Sequence, residues 1–294
     1  MKRLIILILL LAAAASALYY SERHKQESRV GPEAVLNALA DTQRELSRVP
    51  ASVTRISDEE EIRIGDALAE HYISQFGSGD SAMQEYVSTV GRVVAAHARR
   101  KFNYKFHYVP EEYLVNAFAL PGGHVFIGKG LIQLMESEDE LASVLGHEVE
   151  HIDNYHCVER YQLKARTGNL PLAELLALPV ELFQAGYGKE QELEADRDGT
   201  WLAVQAGYSP QGAIHMFETF GRLHREYVLK ADSPDQELSK VAIEGILGYF
   251  RSHPLPEERI SQMEKMIARN KWSNHSERAL RQHPETIKTE ASNH

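Results

Sequence analysis

The stretch His147-Glu148-Val149-Glu150-His151 constrains this chain more tightly than any other. Two histidines four apart sit on one face of a helix, ~40° apart around its axis and ~6 Å apart along it. Both imidazoles can then reach one ion. Glu148 lies ~80° from the centre of that pair, near enough to hold a water beside the ion. The stretch follows a helix start: Ser137-Glu138-Asp139-Glu140 has the form of a capping box, and Leu141, Val144 and Leu145 mark a face that packs. H-E-x-x-H on such a helix points to zinc hydrolysis, against the alternative of a solvated face with chance spacing. Read as one helix through Tyr155, or on to Lys164, the segment puts His156 ~160° around from the pair and off the metal face. Cys157 is off that face too. It is the only cysteine, which rules out an internal disulfide and a zinc ribbon, and it reads as a small core residue.

Zinc held by two histidines needs a third ligand and an open position. An extended pattern with a third His six residues on is absent, since position 157 is Cys and position 154 is Asn. The later stretch Glu192-Leu193-Glu194-Ala195-Asp196 offers a candidate. Glu192 and Asp196 share a helical face, so one carboxylate can ligate while the other takes a ring N–H from a ligand His. Ala195 leaves room for two helices to approach. The alternation of Glu190, Glu192, Glu194, Asp196 and Asp198 equally suits a solvated acidic helix, and these residues alone leave both readings open.

Composition narrows the class. Among 294 residues, 32 Lys and Arg stand against 42 Asp and Glu, and a net charge of −10 argues against nucleic acid as a partner. At 43% hydrophobic the chain buries a substantial core. The N-terminus reads separately. Met1-Lys2-Arg3 precedes an apolar run, Leu4 to Tyr20, broken only by Ser16, with a small-x-small site at Ala15-Ser16-Ala17. Two readings stand, a cleaved signal peptide and an uncleaved anchor at the lower length limit for a span, and both export the body of the chain.

The expected organisation is 1–20 signal or anchor, 21–55 N-terminal helical segment, 56–270 catalytic domain and 271–294 polar tail. Helices are expected over Gly31–Val49, Ser57–Gln75, Ser81–Lys101, Leu172–Phe183, Lys189–Ala206, Ser209–Leu229 and Val241–Phe250. Strands are expected over Phe102–Val109, Val115–Leu120 and His124–Ile127, the last two joined through Pro121-Gly122-Gly123. The tail from Trp272 to His294 reads as polar and frayed. The fold class is α+β and mostly helical.

Four blocks in order resemble one zinc metallopeptidase family, that of the HtpX heat-shock protease, the CAAX prenyl endopeptidases and the BepA-type periplasmic proteases. They are Asn116–His124 with Gly130-Leu131; Gly146–His151; Glu192–Asp196 followed by Ala206-Gly207-Tyr208-Ser209-Pro210; and Ser252-His253-Pro254-Leu255-Pro256 with Arg259. The resemblance implies a zincin-like domain whose small sheet sets an edge strand beside the metal helix. It implies one zinc ion per chain on His147, His151 and Glu192, with Asp196 behind a ligand and Glu148 as general base. It implies peptide substrates adding along Asn116, Ala117, Phe118 and Ala119. His253 becomes either an oxyanion stabiliser or a fourth ligand that blocks the metal. Glu150 departs from the family, which usually has a small residue there. No membrane-spanning run follows Tyr20, unlike HtpX, and no repeat domain follows the catalytic part, unlike BepA.

The expected function is therefore a zinc endopeptidase acting on unfolded or misassembled envelope proteins. It would be extracytoplasmic, in the periplasm, and bound to a membrane only through an uncleaved N-terminus. Three alternatives are a catalytically silent, chaperone-like module of the same fold, a hydrolase of non-peptide bonds, and an adaptor acting through its tail. The presence of Glu148 speaks against the silent module, because binding alone does not need a base.

Overall fold

Two capped helices and a three-stranded sheet set the frame in the computed structural model, which describes residues 56–76, 80–168, 187–223, 225, 256–272 and 277–280. These belong to one compact unit, Thr54–His294. Helix α1, Asp58–Ile73, starts where the Ser57 hydroxyl accepts the Glu60 N–H at 3.2 Å. Helix α2, Ser81–Ala95, starts at Asp80, whose carboxylate accepts the N–H of Ala82. Then come β1, Lys105–Val109; β2, Ala117–Leu120; a 3-10 turn, Pro121–Gly123; and β3, His124–Gly128. The short helix α3, Lys129–Ile132, leads to the central helix α4, Glu138–Asp153.

The sheet order is β1-β3-β2, with β1 parallel and β2 antiparallel to β3. Both of its faces are buried, and residue alternation sorts them. Ala117, Ala119, Val125 and Ile127 face the larger core with α2 and α4, while Phe118, Leu120 and Phe126 face a smaller core with Ile64, Leu68 and Tyr72 of α1. Small residues therefore stand on the β2 face that meets α4, and the two elements pack closely.

The expected capping box at Ser137 is complete. Ser137 Oγ accepts the Glu140 N–H and Glu140 accepts the Ser137 N–H, each at 3.2 Å. Sequence patterning suggests a half-buried helix, yet every residue from Asp139 to Asp153 except Val144 is buried. Its polar flank is buried because other elements supply partners. At the C-terminal end Asp153 accepts the backbone N–H groups of Arg99 and Arg100, at 2.9 and 2.6 Å.

Arg100 ends the helix. Its guanidinium donates to the Ile152 carbonyl at 2.9 Å, pairs with Glu61 and Asp58 of α1, and lies between the rings of Phe102 and Tyr155. Tyr155 adopts φ 65°, in the left-handed region, and the chain restarts as α5, His156–Gly168. The helix expected through Tyr155 ends at Asp153, and the longer reading on to Lys164 is two helices.

Helices α6, Lys189–Gln205; α7, Gln211–Leu223; and α8, Pro256–Asn270, complete the described part. The expected segments at 1–20, Gly31–Val49, Leu172–Phe183 and Val241–Phe250 lie outside the described residues. The tail is not frayed throughout. Arg278 and Ala279 dock on the start of α4, where Glu138 N–H donates to the Arg278 carbonyl at 2.9 Å and Ser137 pairs with Ala279.

Candidate metal centre

Glycines let α4 and α6 cross at backbone distance. A Cβ on Gly199 would stand 2.5 Å from His147 N, and one on Gly146 would stand 2.5 Å from Gly199 O. Ala195, fully buried, serves the same approach. This crossing brings Glu192 and Asp196 onto the two histidines.

His147 Nε2 and His151 Nε2 are 3.0 Å apart, and Glu192 lies 3.5 Å from the first and 3.6 Å from the second. All three residues are buried, and their donor atoms fall within 4.8 Å of one another. Two nitrogens ~2.1 Å from a tetrahedral zinc stand ~3.4 Å apart, so small ring adjustments admit the ion. Charge fits as well. Burial opposes a charged His147, yet the Asp196 and Glu192 carboxylates outweigh it and raise the imidazole to about 10. The site attracts positive charge strongly.

Asp196 stands behind the first histidine, with Oδ1 2.9 Å from His147 Nδ1. The solvated acidic helix reading ends here, because Glu192 and Asp196 are buried while Glu194 is only half-buried. Arg259, also buried, grips Asp196 through two hydrogen bonds at 2.7 and 2.6 Å and lies over the Phe217 ring. Arg259 stands out in the sequence only as a member of a motif block, and its partner across 63 positions emerges in three dimensions.

His156 corrects the sequence reading. Because α4 stops and α5 turns back, His156 Nδ1 lies 3.0 Å from His151 Nδ1, not on the far side of the helix. Its own Nε2 is 3.6 Å from Glu194. Helix periodicity assumes an unbroken axis, and the left-handed Tyr155 removes it. Cys157 is fully buried and burial pushes its thiol up to about 12, as suits a core residue. Glu150 sits against Arg99 at 3.4 Å and accepts from Asn154 at 3.0 Å, away from the metal donors. Burial lifts its carboxyl to about 8.

Glu148 lines a cleft with Ala117, Ser143, Val144, His147, Asp196, Thr200, Ala213, Met216, Phe217 and Arg259. Burial, with the Glu192 and Asp196 carboxylates adding, raises it to about 7 against the pull of His147 and Arg259. Beside it runs β2, paired on one side with β3. Gly128 N–H donates to Asn116 O at 3.0 Å, so hydrogen bonding to β3 alternates through Asn116, Phe118 and Leu120. Ala117 and Ala119 therefore turn their backbone groups outward. The Ala119 carbonyl meets the Cys157 thiol at 3.6 Å, leaving Ala117 as the outward-facing residue beside Glu148 in the cleft. His253 lies outside the described residues.

A buried His-His-Glu group that could hold a metal, in a mostly helical α+β fold, fits a metallopeptidase. The chain belongs to Peptidase family M48, whose profile matches residues 81–267. It is 27% identical over 221 residues to a beta-barrel assembly-enhancing protease of Yersinia pestis, covering 66% of this chain and 42% of that one. It is 26% identical over 193 residues to the mitochondrial metalloendopeptidase OMA1 of Schizosaccharomyces pombe, covering 62% of this chain and 52% of that one. It is 30% identical over 135 residues to the metalloprotease LoiP of Escherichia coli K12, covering 41% of this chain and 52% of that one. The chain thus spans about half the length of the relatives it matches.

Proposed function

We propose that this chain is a zinc-dependent endopeptidase that cuts unfolded or misassembled envelope proteins. The observation that carries this reading is the placement of Glu148 in one cleft with His147, whose buried neighbours His151 and Glu192 complete the donor set. His147, His151 and Glu192 hold the ion, and Asp196 keeps the His147 ring turned so that Nε2 faces it. Bound zinc supplies Lewis acidity, which acidifies a water and polarises a carbonyl.

Glu148 receives the proton of the attacking water as the C–O bond forms, and delivers it to the departing amine nitrogen as the peptide C–N bond then breaks. Arg259 fixes Asp196 and contributes positive charge that keeps the crowded carboxylates in place. His253 is the proposed second oxyanion donor.

An extended substrate adds along β2 at Ala117 through backbone hydrogen bonds, a mode indifferent to most side chains and suited to unfolded protein. The basic start and apolar run of residues 1–20, read as a signal peptide or an anchor, and the names of the bacterial relatives support an envelope setting. No helix among the described residues is long and apolar enough to cross a membrane.

The test is metal content and casein cleavage for wild type, Glu148→Gln and Glu192→Ala. Wild type should carry one zinc and cut casein. Glu148→Gln should keep the zinc and lose turnover, whereas Glu192→Ala should lose both. Full cleavage by Glu148→Gln rejects the assigned proton transfer.

A further inference from the structure

An imidazole plane is poorly fixed by its own torsions, because rotation about the Cβ–ring bond is broad. A metal site therefore needs outside contacts to hold its histidines. Asp196 serves His147. The Nδ1 of His151 faces instead another imidazole, His156, whose ring turns about an equally soft bond.

Tyr187, just before α6, meets His151 on a different side. Its ring lies on the His151 imidazole with centroids 3.8 Å apart and planes 17° apart. The guanidinium of Arg160, from α5, stands 4.0 Å from the centre of the same tyrosine ring. A face covered by an imidazole at 3.8 Å has no room for it, so Arg160 occupies the opposite face. The result is three layers: Arg160, Tyr187, His151. The electron-rich tyrosine face attracts the cation, which holds the ring inward against the histidine. The same residue also reaches a second metal donor, since Tyr187 N–H donates to Glu192 Oε1 at 3.3 Å. Its hydroxyl is 3.2 Å from Cys157 Sγ, which ties the ring to α5.

We propose that Tyr187 is a positioning residue of the metal centre, setting the plane of His151 through the Arg160–Tyr187–His151 stack while its backbone orients Glu192. The inference rests on reading His147, His151 and Glu192 as the ligand set. Tyr187 touches no substrate, so its effect shows first in the affinity and geometry of the bound ion.

The experiment titrates the full chain with zinc against a chromophoric chelator and records the visible spectrum of the cobalt(II)-loaded protein. Tyr187→Met keeps buried volume without a flat ring, and Tyr187→Phe keeps the ring without the hydroxyl. Tyr187→Met should weaken zinc binding by about 10–100-fold and alter the cobalt bands, while the metal-free melting temperature stays near wild type. Tyr187→Phe should bind within about threefold of wild type. Wild-type affinity in Tyr187→Met overturns the inference, as does a loss in Tyr187→Phe equal to that in Tyr187→Met. Should Tyr187→Met fail to fold, Arg160→Met carries the test: a loss of about threefold or more supports the stack, and unchanged affinity overturns it. A wild-type chain that takes up no zinc rejects the ligand set itself, a result distinct from unchanged affinity in the variant.

Discussion

His107, half-buried, and His124, buried, form a hydrogen-bonded pair on the face of the sheet that meets α1. His124 Nε2 lies 2.9 Å from the Asp66 carboxylate, and its Nδ1 is 3.0 Å from His107 Nε2. The two imidazole planes are 6° apart, which suits a linear N–H···N bond. Burial, helped by His124 and Lys105, lowers His107 to about 4, and burial lowers His124 as well. In the unfolded chain both take a proton near pH 6.5. Stability is therefore full above about pH 6.5 and falls as the pH drops toward 4, by up to about 1.4 kcal/mol per pH unit for each group. Urea midpoints between pH 7 and 4.5 check the slope, and His107→Phe should flatten it. A second residue-scale prediction concerns His253. If it stabilises the oxyanion, His253→Ala lowers kcat by roughly 10²–10³-fold. If it occupies the open metal position, the same change raises activity, and kcat measured at saturating peptide separates the two.

Among elements, the α4–α6 crossing matters most, because it carries all three proposed ligands. Gly199→Ala places a methyl 2.5 Å from the His147 nitrogen and 2.6 Å from the Gly146 carbonyl carbon. Backbone cannot yield as a side-chain tip can, so the helices must part. The expected loss is about 1–3 kcal/mol of stability and at least about tenfold in zinc affinity, read by urea unfolding and chelator competition. For the β2 edge, N-methylation of a peptide substrate beside its scissile bond should lower kcat/KM by about 2–10-fold per lost backbone hydrogen bond. An N-methylated peptide cut as fast as its parent would argue against strand addition at Ala117.

Across the whole molecule, Asp139 joins three distant segments at the start of α4. One oxygen accepts the Ser209 N–H at 2.6 Å and the other accepts the Arg278 N–H at 2.5 Å, while Arg278 also lies over the Tyr208 ring. Asp139 is fully buried. Asp139→Ala strands both donors, and the expected cost is about 3 kcal/mol in urea unfolding of the metal-free chain, with Asp139→Asn losing less. Activity at low temperature should survive, because neither donor reaches the cleft. Unchanged stability in Asp139→Ala would show that residues 277–280 do not brace the fold.

The local parts were legible in the residues themselves. Ser137 through Glu140 announce a helix start, the apolar run Val115–Leu120 ahead of Pro121-Gly122-Gly123 announces a strand, and the four-residue spacings at His147–His151 and Glu192–Asp196 each announce a shared face. These features depend on neighbours within a turn or a pleat, and the sequence contains that information. What lay beyond it depends on where the axes stop and cross. Whether Glu192 faced solvent or the two histidines turned on a backbone contact between Gly146 and Gly199, 53 positions apart. The place of His156 turned on Arg100, which caps α4 and sits against a left-handed Tyr155, so a helix expected to run on instead folds back. Tyr187 carries no local pattern, and Arg259 stands out only within its motif block. Their roles come from a flat ring and a forked cation meeting buried partners that only the packed chain brings within reach.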